Sequence, residues 1–338
     1  MKKATLADVA QKAGVSKGTA SKALNGRPDV GTETRKKVEA AALELSFFPN
    51  SLARGLSGGR TSTVGIITSD LDGRFVLPIL MGAEDALDAG QVSVLLCDAR
   101  GDAIREHQHL KALLARRIDG IIVVGDSNDA RPSLGRDIPV PIVYAYAPSA
   151  DPLDYSITPN NYQIGKLATE HILGYGRQNL VHISGELNHS AAIDRAQGFD
   201  DTLQEAKLTP AASTLFGDWS AAWGKAAATT VLSTNCRVDG IVCGSDRIGM
   251  GVLQALADLK IRVPQDVSVI GIDNWNPLVG DLSPRLSSVD MGLEAIGRTA
   301  AKAIFETLDG NPSHQGIVSS PARVVLRESS MPCPSRNM

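Results

Sequence analysis

Four cysteines are spread over the 338 residues, Cys97, Cys236, Cys243 and Cys333, and none of them stands at CxxC spacing from another. In so long a chain they read as buried thiols, which argues against a disulfide framework and against a cysteine-based zinc site. No unbroken apolar run reaches the roughly eighteen residues that would span a bilayer as a helix, so no membrane partner is expected. Behind Lys2 and Lys3 there is no apolar core of a secretory signal, and the expected location is the cytoplasm. Catalytic signatures are also lacking. GLSGGRTS has neither the lysine nor the spacing of a phosphate loop, and the GMG of Gly249 to Gly251 lacks the third glycine of a dinucleotide fingerprint. His182 and His189 have only Glu186 near them at metal spacing. The chain therefore reads as a non-enzyme without cofactor or metal.

What is there is the composition of a soluble globular protein, 43% apolar and 21% charged, in a chain too long for one ordinary domain. The net charge of -3 hides an asymmetry: residues 1–60 sum to +6 and the remainder to -9. A basic end on an acidic body is the footprint of phosphate-backbone binding, because counterion release depends on local charge. Charge alone would equally describe a solvated basic face.

The basic end carries a finer pattern. Thr5 followed three residues later by Asp8 is a capping-box variant, and Leu6, Val9, Ala10 and Ala13 recur at helical spacing. Gly14 supplies a tight turn, Val15 plugs it, and Ser16 is a good N-cap for a second helix from Lys17 to about Leu24. Ala20, Ala23 and Leu24 would face inward, leaving Lys17, Gly18, Ser21, Lys22 and Asn25 as a polar outer stripe suited to a major groove. Gly26, Arg27 and Pro28 break the chain, and Thr32 can cap a third helix with Val38, Ala42 and Leu45 as its buried edge.

The string TLADVAQKAGVSKGTASKALNG, followed by TETRKKVEAAALELSFFPNSLARGL, resembles the LacI/GalR family of bacterial transcription regulators. The likeness extends over nearly the whole chain through ITPNNYQIGKLATEHI, HISGELNHSAAIDRAQGF, CGSDRIGMG and VPQDVSVIGIDNW. It implies that Lys17, Gly18 and Lys22 read base edges while Ser16, Thr19, Ser21 and Asn25 hold phosphates. Gly18 departs from the longer residue many relatives carry there. The resemblance also makes Asn50 to Leu56 a hinge helix that orders in the minor groove, with Asn50, Ala53 and Arg54 against DNA and Leu56 wedged between base pairs. Costly nucleation, together with Gly55 and Gly58, fits an element that does not stand alone; an ordinary interdomain linker is the other reading.

After Arg60 short apolar runs at Thr63 to Thr68, Val92 to Cys97, Gly120 to Val124, Ile142 to Tyr146, Leu180 to Ser184, Gly240 to Cys243 and Val267 to Ile272 alternate with helical patterns. Such alternation predicts parallel sheets covered by helices, in two groups divided near Ser156 to Asn161. The expected fold is a small all-α helix-turn-helix domain plus a two-lobed, periplasmic-binding-protein-like α/β domain. Its expected bounds are 1–48 for the first domain, 49–60 for the hinge and 61–338 for effector binding and dimerisation. Within the last, the resemblance implies three crossings, with one lobe of about 61–158 and 290–312 and another of about 159–289 and 313–328.

Ligands of open parallel sheets sit at the carboxyl ends of strands, so the cleft between the lobes is the expected site. The resemblance places Asp273 and Arg195 there, where they either grip ligand hydroxyls or pair with each other. Trp219 matches a platform for a sugar ring, though a plain core tryptophan fits its sequence context equally. Asp70 and Phe75 after the first strand, Tyr146 after the fourth, Asp246, and Ser190 beside His189 complete the expected contacts. Asn160 and Ser245 depart from the usual Asp and Asn. The whole reads as a homodimeric repressor whose affinity for double-stranded operator DNA is set by a small-molecule effector, expected to be a carbohydrate. A periplasmic sugar-binding protein would have no use for the first sixty residues. The tail ESSMPCPSRNM shows no heptads, so a dimer is expected rather than a coiled-coil tetramer.

Overall fold

Thr5 and Asp8 do what their spacing predicts. In the computed structural model of the chain the Thr5 N–H donates to Asp8 Oδ2 at 2.7 Å and the Asp8 N–H donates to Thr5 Oγ1 at 3.4 Å, closing the capping box that starts helix α1, Leu6–Ala13. The structure describes residues 4–24, 27, 29–47, 60–70, 73–86, 92–234, 237–279 and 282–330. Helix α1 ends at Gly14, whose φ of 67° is the left-handed conformation that glycine adopts without a Cβ clash. Ser16 Oγ then accepts the Thr19 N–H at 3.0 Å and starts α2, Lys17–Leu24. The third helix, α3, spans Thr32–Glu44, but Thr32 is its first helical residue and Gly31, which has no side chain to bond with, is its cap. Val9, Ala20 and Val38 are fully buried at the centre of this unit.

The chain divides into two units, residues 1–61 and 62–338. The second contains two sheets. One has the order β10-β5-β4-β3-β1-β2 and the other β11-β9-β8-β7-β6. The first takes β1 (Thr63–Thr68), β2 (Ser93–Asp98), β3 (Gly120–Val124), β4 (Ile142–Ala145), β5 (Tyr155–Pro159) and β10 (Gly316–Ser320), all parallel. The second takes β6 (Leu180–Ile183), β7 (Gly240–Cys243), β8 (Ser268–Ile272) and β9 (Ser287–Asp290) in parallel, with β11 (Arg323–Val325) antiparallel at its edge. Every residue of β3 and β8 is buried, as expected for strands covered by helices on both faces.

Two sequence expectations change here. Tyr155 to Pro159, which overlaps the divide expected near Ser156 to Asn161, is a strand of the first sheet, and residues 316–320 belong to the first lobe rather than the second. They pair with β5 in register from Gly316 on Tyr155 to Ser320 on Pro159. Strand β10 was hidden because an exposed edge strand needs no apolar run, and three of its five residues are exposed. The last crossing therefore falls between Ser320 and Arg323, not near residue 313. Of the cysteines, Cys243 is buried and Cys97 half-buried, and burial pushes both thiols up; Cys236 and Cys333 lie outside the described residues, as does the tail from 331.

Helices flank the sheets: α4 (Val76–Glu84), α5 (Ala103–Ala115) and α11 (Leu293–Leu308) on the first; α6 (Asn161–Gly174), α7 (Ser190–Glu205), α8 (Ala221–Ser233) and α9 (Asp246–Asp258) on the second; and the short α10 (Asn276–Val279) after β8. Three pairs of them touch backbone to backbone through reciprocal glycines. A Cβ placed on Gly82 would lie 1.9 Å from the Glu294 carbonyl oxygen, and one on Gly297 1.9 Å from that of Ile79, joining α4 to α11. Gly165 and Gly198 join α6 to α7 in the same way, at 2.2 Å from the carbonyl oxygens of Arg195 and Tyr162. Gly224 and Gly251 join α8 to α9, at 2.2 Å from Ile248 and 1.9 Å from Ala221.

Overpacking such a contact forces the helices apart. Gly82→Val should lose roughly 3 kcal/mol in urea unfolding. Gly174→Ala, at a helical position where an added methyl meets nothing within 4 Å, should hold or raise stability by up to about 1 kcal/mol. Equal midpoints for the two variants would show that the close approach relaxes at no cost.

Candidate functional site

The carboxyl ends of the strands hold the polar residues that the packing does not use. Just after β1, Asp70 Oδ2 accepts the N–H groups of Phe75 at 2.7 Å and Val76 at 2.9 Å, which satisfies the first turn of α4 and sets the direction of Arg74 and Phe75. Phe75 stacks on Tyr146, beyond β4, with ring centroids 4.0 Å apart. The Arg74 guanidinium also lies over Phe75, 4.3 Å from the ring centroid, and its Nη1 stands 3.2 Å from Asp273 Oδ2. Both side chains are largely enclosed, 15% and 3% exposed, and the two facing atoms make no aligned hydrogen bond.

Asp273 follows β8 with a φ of 118°, and Asn274 follows it at 52°; Tyr146 has a φ of 72°. Left-handed backbone at residues with a Cβ costs on the order of 1–3 kcal/mol each and persists only where neighbours enforce it. Asp246 is one enforcer. Its Oδ1 accepts from Ser288 Oγ at 2.6 Å and its Oδ2 from the Trp275 N–H at 2.9 Å, pinning the loop that carries Asp273. Burial, and then the charge of Asp273, push the Asp246 carboxyl well above the usual carboxylate range.

On the facing side, Arg195 projects from α7. Its Nε donates to Asn161 Oδ1 at 2.9 Å, its Nη1 to the Gly244 carbonyl and its Nη2 to Met291 Sδ at 3.3 Å. Burial pushes its pKa down. Its guanidinium lies 5.7 Å from the Trp219 ring. The indole rests on the backbone of Gly185, where a Cβ would come within 2.1 Å of Cε2, and its Nε1 donates to His189 Nδ1 at 2.9 Å. Trp219 thus packs against the second-lobe core and also borders the cleft.

These groups enclose a cavity of about 100 Å³. Of the residues expected there, Phe75, Tyr146, Arg195, Trp219 and Asp273 border it. Asp70, Asp246 and Ser190 do not: the first caps α4, the second holds the Asp273 loop, and the Ser190 N–H donates to Asp129 Oδ1 at 3.0 Å. The expected alternative of a direct Asp273–Arg195 pair gives way to Arg74–Asp273. Arg74, Asp126, Ser127, Asn128 and Arg247 also border the cavity and were missed. Asp126 to Asn128 lie just after β3, where the carboxyl-end rule points; Arg74 had no signal beyond its place after β1. On the far side of the Arg74–Asp273 pair lies a larger groove of about 630 Å³, lined by Leu77, Pro78, Met81, Trp275 and Arg298 among others, and among the described residues Arg74 and Asp273 alone border both spaces.

The helix-turn-helix stripe also forms. Ser16, Lys17, Gly18 and Lys22 are exposed, and Thr19 and Ser21 half-buried, while Ala20 and Ala23 turn inward. Ser16 Oγ serves the helix cap and lies 2.8 Å from Thr19 Oγ1. Lys22 Nζ donates to Asp29 Oδ2 at 2.6 Å, which lowers the Asp29 pKa. Asn25, Asn50, Ala53, Arg54 and Leu56 lie outside the described residues.

Comparison with known proteins places these features. The family described as "Bacterial regulatory proteins, lacI family" matches residues 5–50, and the "Periplasmic binding protein-like domain" matches residues 169–330. The HTH-type transcriptional repressor PurR of Photobacterium profundum is 28% identical over 329 residues, covering 96% of this chain and 98% of that protein. Among solved structures, a Lac repressor dimer bound to operator and the anti-inducer ONPF superposes with a TM-score of 0.74 at 26% identity, covering 98% of this chain and 100% of that one. A complex of the transcriptional regulator CelR with cellobiose gives 0.63 at 27% identity, covering 96% and 99%. Among the described residues no helix is long and apolar enough to cross a membrane.

One buried group beneath the cleft makes a pH prediction. His182 on β6 is fully buried against Phe199, neither ring nitrogen has a partner, and burial, then the charge of Arg195, push its pKa to about 3. The unfolded chain binds the proton near pH 6.5 and the folded chain does not, so stability is lost as pH falls below that value. At pH 5 the loss from this group is roughly 2 kcal/mol. In urea titrations from pH 7 to 5, His182→Leu should flatten that slope; an unchanged slope would assign the acid sensitivity to other groups.

Proposed function

Since the chain belongs to the lacI family of bacterial regulatory proteins, we propose that it is a transcription repressor that binds operator DNA as a dimer and is controlled by a small effector held between its two lobes. The observation that carries the reading is the union in one chain of a polar outward helix stripe at Lys17, Gly18 and Lys22 with a cleft where Phe75, Tyr146 and Trp219 meet Arg74, Arg195 and Asp273. Aromatic faces with a few convergent charged groups make a site for a small polar molecule with apolar ring faces, the description of a carbohydrate. The ligand named for one neighbour, cellobiose, supports that class.

In this reading residues 1–48 bind the major groove, 49–60 form the hinge and 61–338 bind effector and partner. Lys17, Gly18 and Lys22 face base edges, Ser16, Thr19, Ser21 and Asn25 hold phosphates, and Asn50, Ala53 and Arg54 line the minor groove with Leu56 as the wedge. The reading assigns no reaction to the chain, and an operator target sets its place of work in the cytoplasm. A cavity of about 100 Å³ is smaller than the roughly 300–1,000 Å³ of most ligand pockets, so the lobes part to admit the effector. An effector that prefers one lobe arrangement changes operator affinity by the same factor by which operator changes effector affinity.

Two outcomes test the two sites. Asp29→Asn frees Lys22 and removes a negative charge, and should raise affinity for operator and for random duplex by a factor of about two to five at low salt. Lys22→Ala should erode the preference between them; fluorescence anisotropy that finds both variants like wild type would take Lys22 off the DNA face. At the other site, Asp273→Asn should shift operator release to effector concentrations about ten-fold higher or more, since a charge-assisted acceptor is lost, while binding without effector stays near wild type. Superimposable release curves would make Asp273 purely structural.

A further inference from the structure

Two guanidinium groups border the cleft, and one of them faces a carboxylate. Arg195 is buried, and its acceptors, Asn161 Oδ1, the Gly244 carbonyl and Met291 Sδ, are all uncharged. Among the described residues Arg74 faces Asp273, at 3.2 Å and out of line for a hydrogen bond, with Nη1 and Oδ2 both buried, and the charge of the buried Asp70 also acts on it. The neighbouring carboxylate, Asp246, is turned to Ser288 Oγ and the Trp275 N–H. Asp126 borders the cavity but is exposed, where its charge is screened by solvent. Arg247 adds a third guanidinium to the lining. Among the described groups that line the enclosed part of the cavity, two guanidiniums, Arg74 and Arg195, stand with one carboxylate, Asp273, while the buried carboxyls of Asp70 and Asp246 lie behind the lining.

This imbalance constrains what can bind. A neutral polyol that donates a hydroxyl to Asp273 competes with Arg74 for the carboxylate it faces, and a buried cation stripped of its partner is strongly unfavourable. A ligand with its own anionic group donates hydroxyls to Asp273 and offers Arg74 an acceptor in exchange, in the bidentate geometry that guanidinium forms with carboxylate or phosphate. There is room for such a group, because Arg74 and Asp273 form the wall between the 100 Å³ cavity and the 630 Å³ groove. We propose that the effector is a polyhydroxylated acid, a sugar bearing a carboxylate or a phosphate, and that Arg74 selects for the acidic group. The inference rests on the reading of this cleft as the effector site.

The test is calorimetric titration of the full-length protein, at fixed ionic strength, with neutral hexoses and pentoses, their aldonic and uronic acids, and their phosphates. At least one acid should bind about ten-fold or more tightly than its neutral parent. Which acid does so separates the carboxylate from the phosphate source. Arg74→Gln should bring that acid down to the level of its parent, and raising NaCl should weaken the acid alone. If Arg74→Gln does not fold, Arg74→Lys, which keeps the charge and loses the fork, should weaken the acid more than the parent. A neutral sugar that binds as tightly as its acid, a variant that weakens both alike, or no binding by any member of the panel would overturn the proposal. Operator anisotropy in parallel separates the two readings. A neutral sugar that binds and releases operator overturns acid selection and leaves the effector site standing; an acid that binds with the expected preference and leaves operator affinity unmoved upholds selection and defeats the regulatory reading.

Discussion

The close approach of helix backbones at six glycines is the constraint on which the two-lobed body depends. Where Gly165 meets Arg195 and Gly198 meets Tyr162, helices α6 and α7 have no side chain between them to act as a compressible spacer. Their separation is set by backbone atoms, which do not repack. Asn161 stands at the start of one helix and Arg195 on the other, so the 2.9 Å bond between them follows from that separation. Gly82 and Gly297 do the same for α4, whose first turn follows Arg74 and Phe75. Both walls of the cleft are thus referred to rigid helix pairs, and side chains set only the chemistry.

That chemistry is held in tension. Asp273 and Tyr146, which both border the cavity, have left-handed backbone, and an enclosed ion pair meets without good alignment. Strain at such positions survives because Asp246, Ser288 and the Trp275 N–H fix the loop from behind. A misaligned pair is exchanged for a ligand that supplies both members with new partners. The supporting shell stays in place while the facing groups change partners.

Much of this was legible beforehand. The capping box at Thr5 and Asp8, the turn at Gly14 and the cap at Ser16 are local interactions between near neighbours, and local rules read them. The strands with continuous apolar runs were read for the same reason. What was not legible is what depends on distant partners. The pairing of β10 with β5 has no apolar signature because it is an exposed edge, and the six helix-contact glycines look like any other small residues until two helices are set side by side. Asp273 was read as a ligand acceptor or a partner of Arg195, because Arg74, 199 positions earlier, becomes its neighbour only when the lobes face each other. Asp70 and Asp246 carried the right chemistry at the right strand ends, but their oxygens serve backbone and neighbouring groups instead.

The late return of the chain to its first sheet has a consequence for synthesis. The helix-turn-helix unit has its three described helices by Glu44, and the first lobe has five of its described strands by Pro159. Helix α11 and strand β10, which cover that sheet and close its β5 edge, come only with residues 293 to 320. At a translation rate of about 5–20 residues per second, the half-built lobe waits roughly ten to thirty seconds on the ribosome. For that interval the apolar face that will receive Ile296, Ala300 and Ile304 stands open, beside an unpaired strand of the kind that joins other chains. A nascent polypeptide in this condition is a natural client for chaperones that shield emerging chains, and a message truncated before residue 320 would leave it in that condition permanently.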